Sequence, residues 1–573
     1  MKKKVNDNFL YCAERGESTG AYYFKTAVAL TIKNHSEGTI GYFDGWELVV
    51  APGTHYEGLT QKQLIDTLHE LWPELKWHTK HTRDRICIYT DNLAKIQGFF
   101  EKYITEGFED FYVILNEFFE VRPCDRWIEV GDVYHIAQQM QNVYNDYFIP
   151  GKYFYISPQQ RNRKYLAKAR KLTNDTTAEL SYPKSYTRYM WDRKGYFSGL
   201  LYHPYQGIIE EPMLVLDITS SYIFDMLCER HVCSDRREVD TSMWEYYLSA
   251  TKKVSFGAYK ISYAMPFNHI SCFTDIKGNK LEPGEHTVQM MLTNVDLKNL
   301  LDIGYIKSIE CELLYEFDID YLPKYVIEAI AEAYIAKVEA ADDEALKAIR
   351  KPILNGFYGD TIRRYDTKEE YAGTNKNPVL SPLWGIFTTS YSKKWLLELA
   401  LKVDGWYYSD TDSIICLDNE KNRELLAQFN IKIRKIVKDW CEKFGYDYEL
   451  FKNLGTFKKE HEITKLRVWK NKTYCYRYIE KDKYGNIKFD KDGKEIVKIV
   501  LKAAGLMKDS VELNEKLFYT KDLDYTRTKY PIIVPASESQ TGESYYVEFT
   551  PNNKMQYYIM LNELAKVVKN KRA

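Results

Sequence analysis

No two of the ten cysteines in this 573-residue chain stand as CxxC, and the nearest approach, Cys228-Glu-Arg-His-Val-Cys233, has no second ligand pair at zinc spacing. That excludes a zinc ribbon and a dense disulfide framework, and the thiols read as reduced, mostly buried groups of a cytosolic protein. No apolar run approaches the length of a membrane span, and the start, MKKKVNDNFLYCAERG, has no apolar core after its lysines. Neither an integral membrane protein nor a secretory leader is expected. Charge of one sign is missing too: 80 Lys and Arg against 81 Asp and Glu leave a formal charge of −1. No global field draws the chain to a polyanion or a lipid surface, so any polyanion must be held by local basic clusters. The pattern contains no internal repeat and no low-complexity tract.

What is present is globular. Hydrophobic residues make up 45% and charged residues 28%, and 49 tyrosines are an aromatic load that must place many rings at surfaces or grooves. The length exceeds what one core supports, so two or more domains are expected. Over residues 1–190, β-rich runs (AVALTIKN, RICIYT, FYVILNEFF) alternate with a helical pattern (LTQKQLIDTLHELW), which predicts a mixed α/β domain. The stretch QQRNRKYLAKARK carries Arg161, Arg163, Lys164, Lys168, Arg170 and Lys171 around Tyr165, equally a solvated helix face or a nucleic-acid contact. Trp191 to Gly199, WDRKGYFSG, reads as a link between domains, and PMLVLD after it as a strand delivering Asp217 at its end. Helix is expected from about 323 to 358, kinked or restarted at Pro352, with strands returning near 406–417 and 467–479.

The chemistry concentrates in three places. WYYSDTDSIICL reads as two short strands, Trp406 to Ser409 and Ser413 to Leu417, joined by a tight turn that holds Asp410 and Asp412. Two carboxylates there repel and cost desolvation. Either they cap the turn or they bind a divalent cation, and Mg²⁺ suits one or two carboxylates plus phosphate oxygens. Asp217, at another strand end before ITSSY, favours the cation. In KAIRKPILNGFYG, Lys351, Asn355 and Tyr358 fall at i, i+4 and i+7 on one helix face, with Lys347 a turn earlier. Such a face suits a triphosphate with a base stacked beside it.

In this order the three segments resemble the family B DNA polymerases: LDITSSY is similar to motif A, KPILNGFYG to motif B and YSDTDS to motif C. LTNVDLKNLL, GIFTTSYSK, TFKKEHEITKLRVWKNKTYCYRY and LKAAG further resemble stretches of the protein-primed subgroup of small bacteriophages and linear plasmids. The resemblance implies an α+β, right-hand polymerase with palm (about 191–260 and 375–500), insertion (about 261–322), fingers (about 323–374) and thumb (about 501–573). Ahead of it, residues 1–190 would form a ribonuclease H-like 3′-5′ exonuclease domain.

By the same resemblance Asp217, Asp410 and Asp412 are catalytic, with Asp217, Asp412 and the Ile218 carbonyl as ligands of two Mg²⁺ ions, replaceable by Mn²⁺. Tyr222, Lys337, Lys347, Lys351, Asn355 and Tyr358 would meet the dNTP, Tyr222 excluding a 2′-hydroxyl. Thr389, Lys393, Lys472, Tyr474 and Lys502 would hold the primer and template. The implied partners are a primer–template DNA, dNTPs and a terminal protein as one candidate primer, with no membrane. The chain would act as a monomer in the cytoplasm of a phage or mobile-element host. A repair polymerase using nucleic-acid primers and a catalytically silent DNA-binding subunit are the alternatives, the latter disfavoured by the intact Asp217, Asp410, Asp412 and Lys351.

Several positions depart from the pattern. Ile223 replaces the motif A proline, Gly356 the motif B serine, and the link motif keeps only Gly195. The segment from Gly359 to Pro378 is shorter than the subgroup's second insertion. Residues 1–190 contain no Asp-x-Glu. Glu14 and Glu17 have the wrong spacing for one strand face, and Ile96 or Gln97 stands where an aspartate should follow Asn92 and Leu93, Asp91 being a capping or surface residue. The exonuclease-like domain is therefore expected to be degenerate.

Overall fold

The computed structural model describes residues 26–34, 43–51, 54–59, 63, 66–67, 70, 86–90, 119–123, 158–204, 207–267, 269–270, 272–340, 344–365, 367–375, 378–482, 485–503, 513–520, 530–534 and 545–549. Near the N-terminus, strands Thr26–Asn34, Phe43–Ala51, Thr54–Leu59, Ile86–Thr90 and Phe119–Pro123 form one sheet in the spatial order third, second, first, fourth, fifth. The first three are antiparallel and the last two run parallel to the first. AVALTIKN and RICIYT fall on strands of this sheet; the fifth strand lies at the end of FYVILNEFF and beyond it. Glu14, Glu17, Asp91, Asn92, Leu93, Ile96 and Gln97 lie outside the described residues.

The central sheet is antiparallel, in the order Val497–Ala503, Thr473–Ile479, Phe457–Lys470, Met213–Ile218, Ser413–Leu417, Tyr408–Thr411 and Leu200–Tyr202, with Gly207–Ile209 also pairing to Phe457–Lys470. Met213–Ile218 lies in its middle and is buried on both faces except at Asp217. A strand covered on both sides reads as an unbroken apolar run, which is why PMLVLD stands out in the sequence. A second antiparallel sheet is built on Lys253–Met265, Gly284–Thr293 and Ile306–Asp320.

Helices Lys324–Glu339 and Glu344–Thr361 pack on each other, and Pro158–Thr173 packs on both. Asn162 Nδ2 donates to the Ile353 carbonyl at 2.9 Å, and Leu166, Ile330 and Leu354 share one apolar core. The basic stretch therefore belongs to a helix with a buried face, and packing crosses the boundary expected at 190. The second helix does not restart at Pro352: it runs unbroken from Glu344 to Thr361. Proline removes one amide donor. Burial of Ile353, Leu354, Phe357 and Tyr358 holds the helix past that gap.

Helix Pro382–Ala400 is buried on nearly every side. An apolar stripe all round marks a helix at the centre of a large domain. After Thr361 the chain folds back on the link: Tyr189 Oη donates to the Arg363 carbonyl at 2.6 Å, Arg193 donates to the Ile362 carbonyl at 2.7 Å, and Tyr182, Tyr189, Tyr365 and Tyr371 form one buried cluster. One small repeat departs from the expectation of none: DKYG at 482–485 and DKDG at 490–493. Asp482 and Asp490 start two like turns eight residues apart, each closed by a glycine amide donating back to the aspartate carbonyl.

Candidate active site

Pairing of three strands brings the carboxylates together. Ser413 lies opposite Asp217 on one side and Lys458 opposite it on the other, and the Ile218 amide donates to the Asp412 carbonyl at 2.8 Å. Asp410 pairs with Ser413, so Thr411 and Asp412 alone make the turn. Thr411 takes φ +65°, a left-handed conformation that costs a β-branched residue about 1–3 kcal/mol. Its hydroxyl donates to Asp410 Oδ1 at 3.0 Å, and the Asp412 amide donates to the Asp410 carbonyl at 2.8 Å.

Gly199 makes room for that turn. A Cβ there would stand 2.8 Å from Thr411 Cα and 2.6 Å from its Cγ2 and Oγ1. Gly199→Ala should push the turn out of place and slow any reaction that depends on Asp412 by about 10–100-fold, since a shift of about 1 Å can cost that much. An unchanged single-turnover rate would show that the turn does not depend on this clearance.

Burial, then the Asp217 charge, pushes Asp412 up to about 7, and burial, then the nearby Glu460, pushes Asp217 up to about 6. Lys351 acts against the rise at both, and Lys458 and Lys337 at Asp217. Unfolded aspartates ionise near 3.8, so between about pH 4 and pH 7 the folded chain holds more protons than the unfolded one. Stability from this pair is therefore lost as pH rises through that window. Thermal melts without divalent metal should show Tm falling from pH 5 to pH 7.5. Millimolar Mg²⁺ should remove the fall, and Asp412→Asn should shrink it; a fall of equal size in that variant would assign it to other groups.

Two half-buried carboxylates with nearby cations suit hard metal ions whose remaining ligands are phosphate oxygens. Among the described residues no group of three or more His, Cys, Asp or Glu side chains is placed to hold a metal ion by itself. Asp410 turns elsewhere, to Lys472 Nζ at 3.1 Å.

Around the pair stand the nucleotide candidates. Lys337 Nζ donates to Ser220 Oγ at 2.7 Å, and burial, then Lys351 and Lys347, lowers it to about 8, so these three lysines lie close together. Tyr222 and Tyr358 stack with centroids 4.1 Å apart, and the Tyr358 hydroxyl lies 3.4 Å from that of Tyr196. Asn355 is exposed on the same helix as Lys351. The Lys472 amide donates to Tyr408 Oη at 2.9 Å, the Tyr474 ring lies 4.4 Å from that of Tyr408, and Lys502 is exposed opposite Tyr474.

Thr389 and Lys393 are not brought there. Thr389 is buried, its hydroxyl donating to the Ile386 carbonyl at 2.8 Å. Lys393 is fully buried beside Asp296 at 3.3 Å. That aspartate also accepts from Ser390 Oγ at 2.6 Å, and its amide donates to Thr293 Oγ1 at 2.9 Å. LTNVDLKNLL thus supplies the counter-charge for a buried lysine, and both residues fasten helix Pro382–Ala400 instead of facing DNA. Gly199, Tyr196, Lys458 and Glu460 are the neighbours that sequence reasoning missed. The last two sit on a strand whose pairing to Asp217 leaves no local signal.

The fold is of the right-hand polymerase type, as its likeness to solved structures shows. Residues 163–379 match the family described as DNA polymerase type B, organellar and viral. Phi29 DNA polymerase complexed with primer-template DNA shares the fold at a TM-score of 0.54 and 14% identity, over 92% of this chain and 100% of that one. Its complex with primer-template DNA and incoming nucleotides matches at 0.54 and 13%, over 92% and 99%, and its complex with single-stranded DNA at 0.52 and 13%, over 91% and 99%. No curated protein sequence matches the chain. The family match spans residues 163–379, and the likeness to phi29 DNA polymerase is one of fold. Among the described residues no helix is long and apolar enough to cross a membrane.

Proposed function

We propose that this chain adds dNTPs to a primer 3′-hydroxyl on a DNA template by two-metal phosphoryl transfer, replicating the genome of a phage or other mobile element. The observation that carries the reading is the side-by-side placement of Asp217 and Asp412 on paired strands, with Lys351 acting on both. Divalent ions held by these carboxylates and the Ile218 carbonyl would activate the primer hydroxyl and neutralise the leaving pyrophosphate. Lys351, Lys347 and Lys337 hold the triphosphate; Tyr222 and Tyr358 bound the sugar and base; Lys472, Tyr474 and Lys502 steady the primer strand. Asp410 orients Lys472 through their ion pair. A terminal-protein hydroxyl is the proposed primer for initiation.

Primer extension with Mg²⁺ is the test: templated addition of all four dNTPs is expected, and its absence under Mg²⁺ and Mn²⁺ would overturn the reading. The N-terminal domain, we propose, does no exonuclease chemistry. Single-stranded DNA labelled at its 5′ end should keep its 3′ end in Mg²⁺ without dNTPs. Shortening that persists in Asp412→Asn would mean a second metal site exists.

A further inference from the structure

Ser220 stands apart from its surroundings in two ways. It takes φ +52° and ψ +50°, a left-handed conformation uncommon for a residue with a Cβ. It also occupies the N-cap of helix Ser221–Cys228, where a serine side chain ordinarily accepts from an amide of the first turn, and it makes no such bond. Its Oγ accepts instead from Lys337 Nζ at 2.7 Å, a residue 117 positions away. That hydrogen bond ties the last turn of helix Lys324–Glu339 to the turn that follows Asp217. Lys351 and Lys347 crowd the same ammonium and Asp217 draws on its charge, so a carboxylate acts on Lys337 while the hydrogen bond goes to a neutral hydroxyl. A serine turned out of its capping role, on strained backbone, to hold a cation of the nucleotide pocket is placed as a restraint on that cation.

Building on the reading of Lys337 as a triphosphate contact, we propose that Ser220 and the triphosphate compete for the Lys337 ammonium, so that an arriving nucleotide must take it from the serine. A hydrogen bond from an ammonium to a phosphate oxygen is charged on both sides and stronger than one to a hydroxyl, so a polyphosphate wins the exchange. The competition still has an effect: affinity falls by the fraction of molecules in which the lysine is free to meet the ligand. Ser220 is thus a positioning residue that sets the affinity for nucleotide through Lys337 and touches no reacting atom.

The test titrates the whole protein with inorganic tripolyphosphate and Mg²⁺ by calorimetry, a probe that carries the charge without sugar or base. Ser220→Gly removes the hydroxyl, and glycine accepts the left-handed backbone without strain, so the fold is kept. This variant should bind tripolyphosphate about fivefold more tightly than wild type, as expected if about four molecules in five hold the lysine on the serine. In primer extension its KM for dNTP should fall by a similar factor while kcat does not rise. In a Lys337→Met background, Ser220→Gly should change the affinity by less than about 1.5-fold, since the cation it releases is gone. Ser220→Thr, which keeps the hydroxyl, should bind within about twofold of wild type. Unchanged binding by Ser220→Gly would overturn the proposal, and so would weaker binding, which would make the hydroxyl a phosphate ligand in its own right. A gain that persists beside Lys337→Met would overturn it as well, because the effect would then bypass the lysine. A wild type that binds tripolyphosphate but extends no primer, with the gain in Ser220→Gly intact, would instead sink the polymerase reading and leave the competition standing.

Discussion

Asp412→Asn should lower nucleotide addition by at least about a thousandfold, equivalent to about 4 kcal/mol of barrier, while leaving the fold intact. The side chain keeps its size and loses its charge. Asp412 sits in a half-buried turn and answers to Asp217 across paired strands, so the folded chain without metal gains from losing one of the two charges. The variant should therefore melt at the same temperature as wild type or slightly above it, measured without divalent ions. Single-turnover extension within tenfold of wild type would remove Asp412 from the metal site and take the assignment of Asp217 with it.

Tyr222→Val should raise ribonucleotide incorporation relative to deoxyribonucleotide by about 10–200-fold, the range that a steric difference of this size commands. The ring lies flat on Tyr358, whose hydroxyl meets Tyr196, so its position is fixed from behind and it can reject a 2′-hydroxyl by contact. Valine leaves the helix that follows Asp217 intact and opens the space. The readout is the ratio of kcat/KM values for paired dNTP and rNTP on one template. A ratio that does not move would place the sugar gate at another residue, and loss of both substrates together would show that the ring supports Tyr358 more than it screens the sugar.

The parts of this site that the sequence makes legible are those whose chemistry and backbone coincide within a few residues. Asp217 ends an apolar run, and Asp410 and Asp412 sit in a turn between two strands; both patterns survive without knowledge of any partner. The strand bounds differ slightly, since Tyr408–Thr411 carries Asp410 inside the strand instead of the turn. Lys393 is the opposite case. As a lysine in GIFTTSYSK it looks like a DNA contact, but its fate is decided by Asp296, almost a hundred residues earlier, and no local pattern announces that pairing. Gly199 and Lys458 escape for the same reason: what matters about each is the strand laid beside it. The basic helix Pro158–Thr173 was open between two readings because composition reports its charge and not its buried edge.

That helix sets where the chain can be cut. A fragment starting at residue 191, the boundary that the motifs suggest, would strip Leu166 and Asn162 from the two helices beneath them and leave an apolar seam open to water. Such a fragment should express as aggregate. One that starts before residue 158 keeps the seam closed, so a minimal soluble polymerase module should include the helix that composition alone would assign to its neighbour.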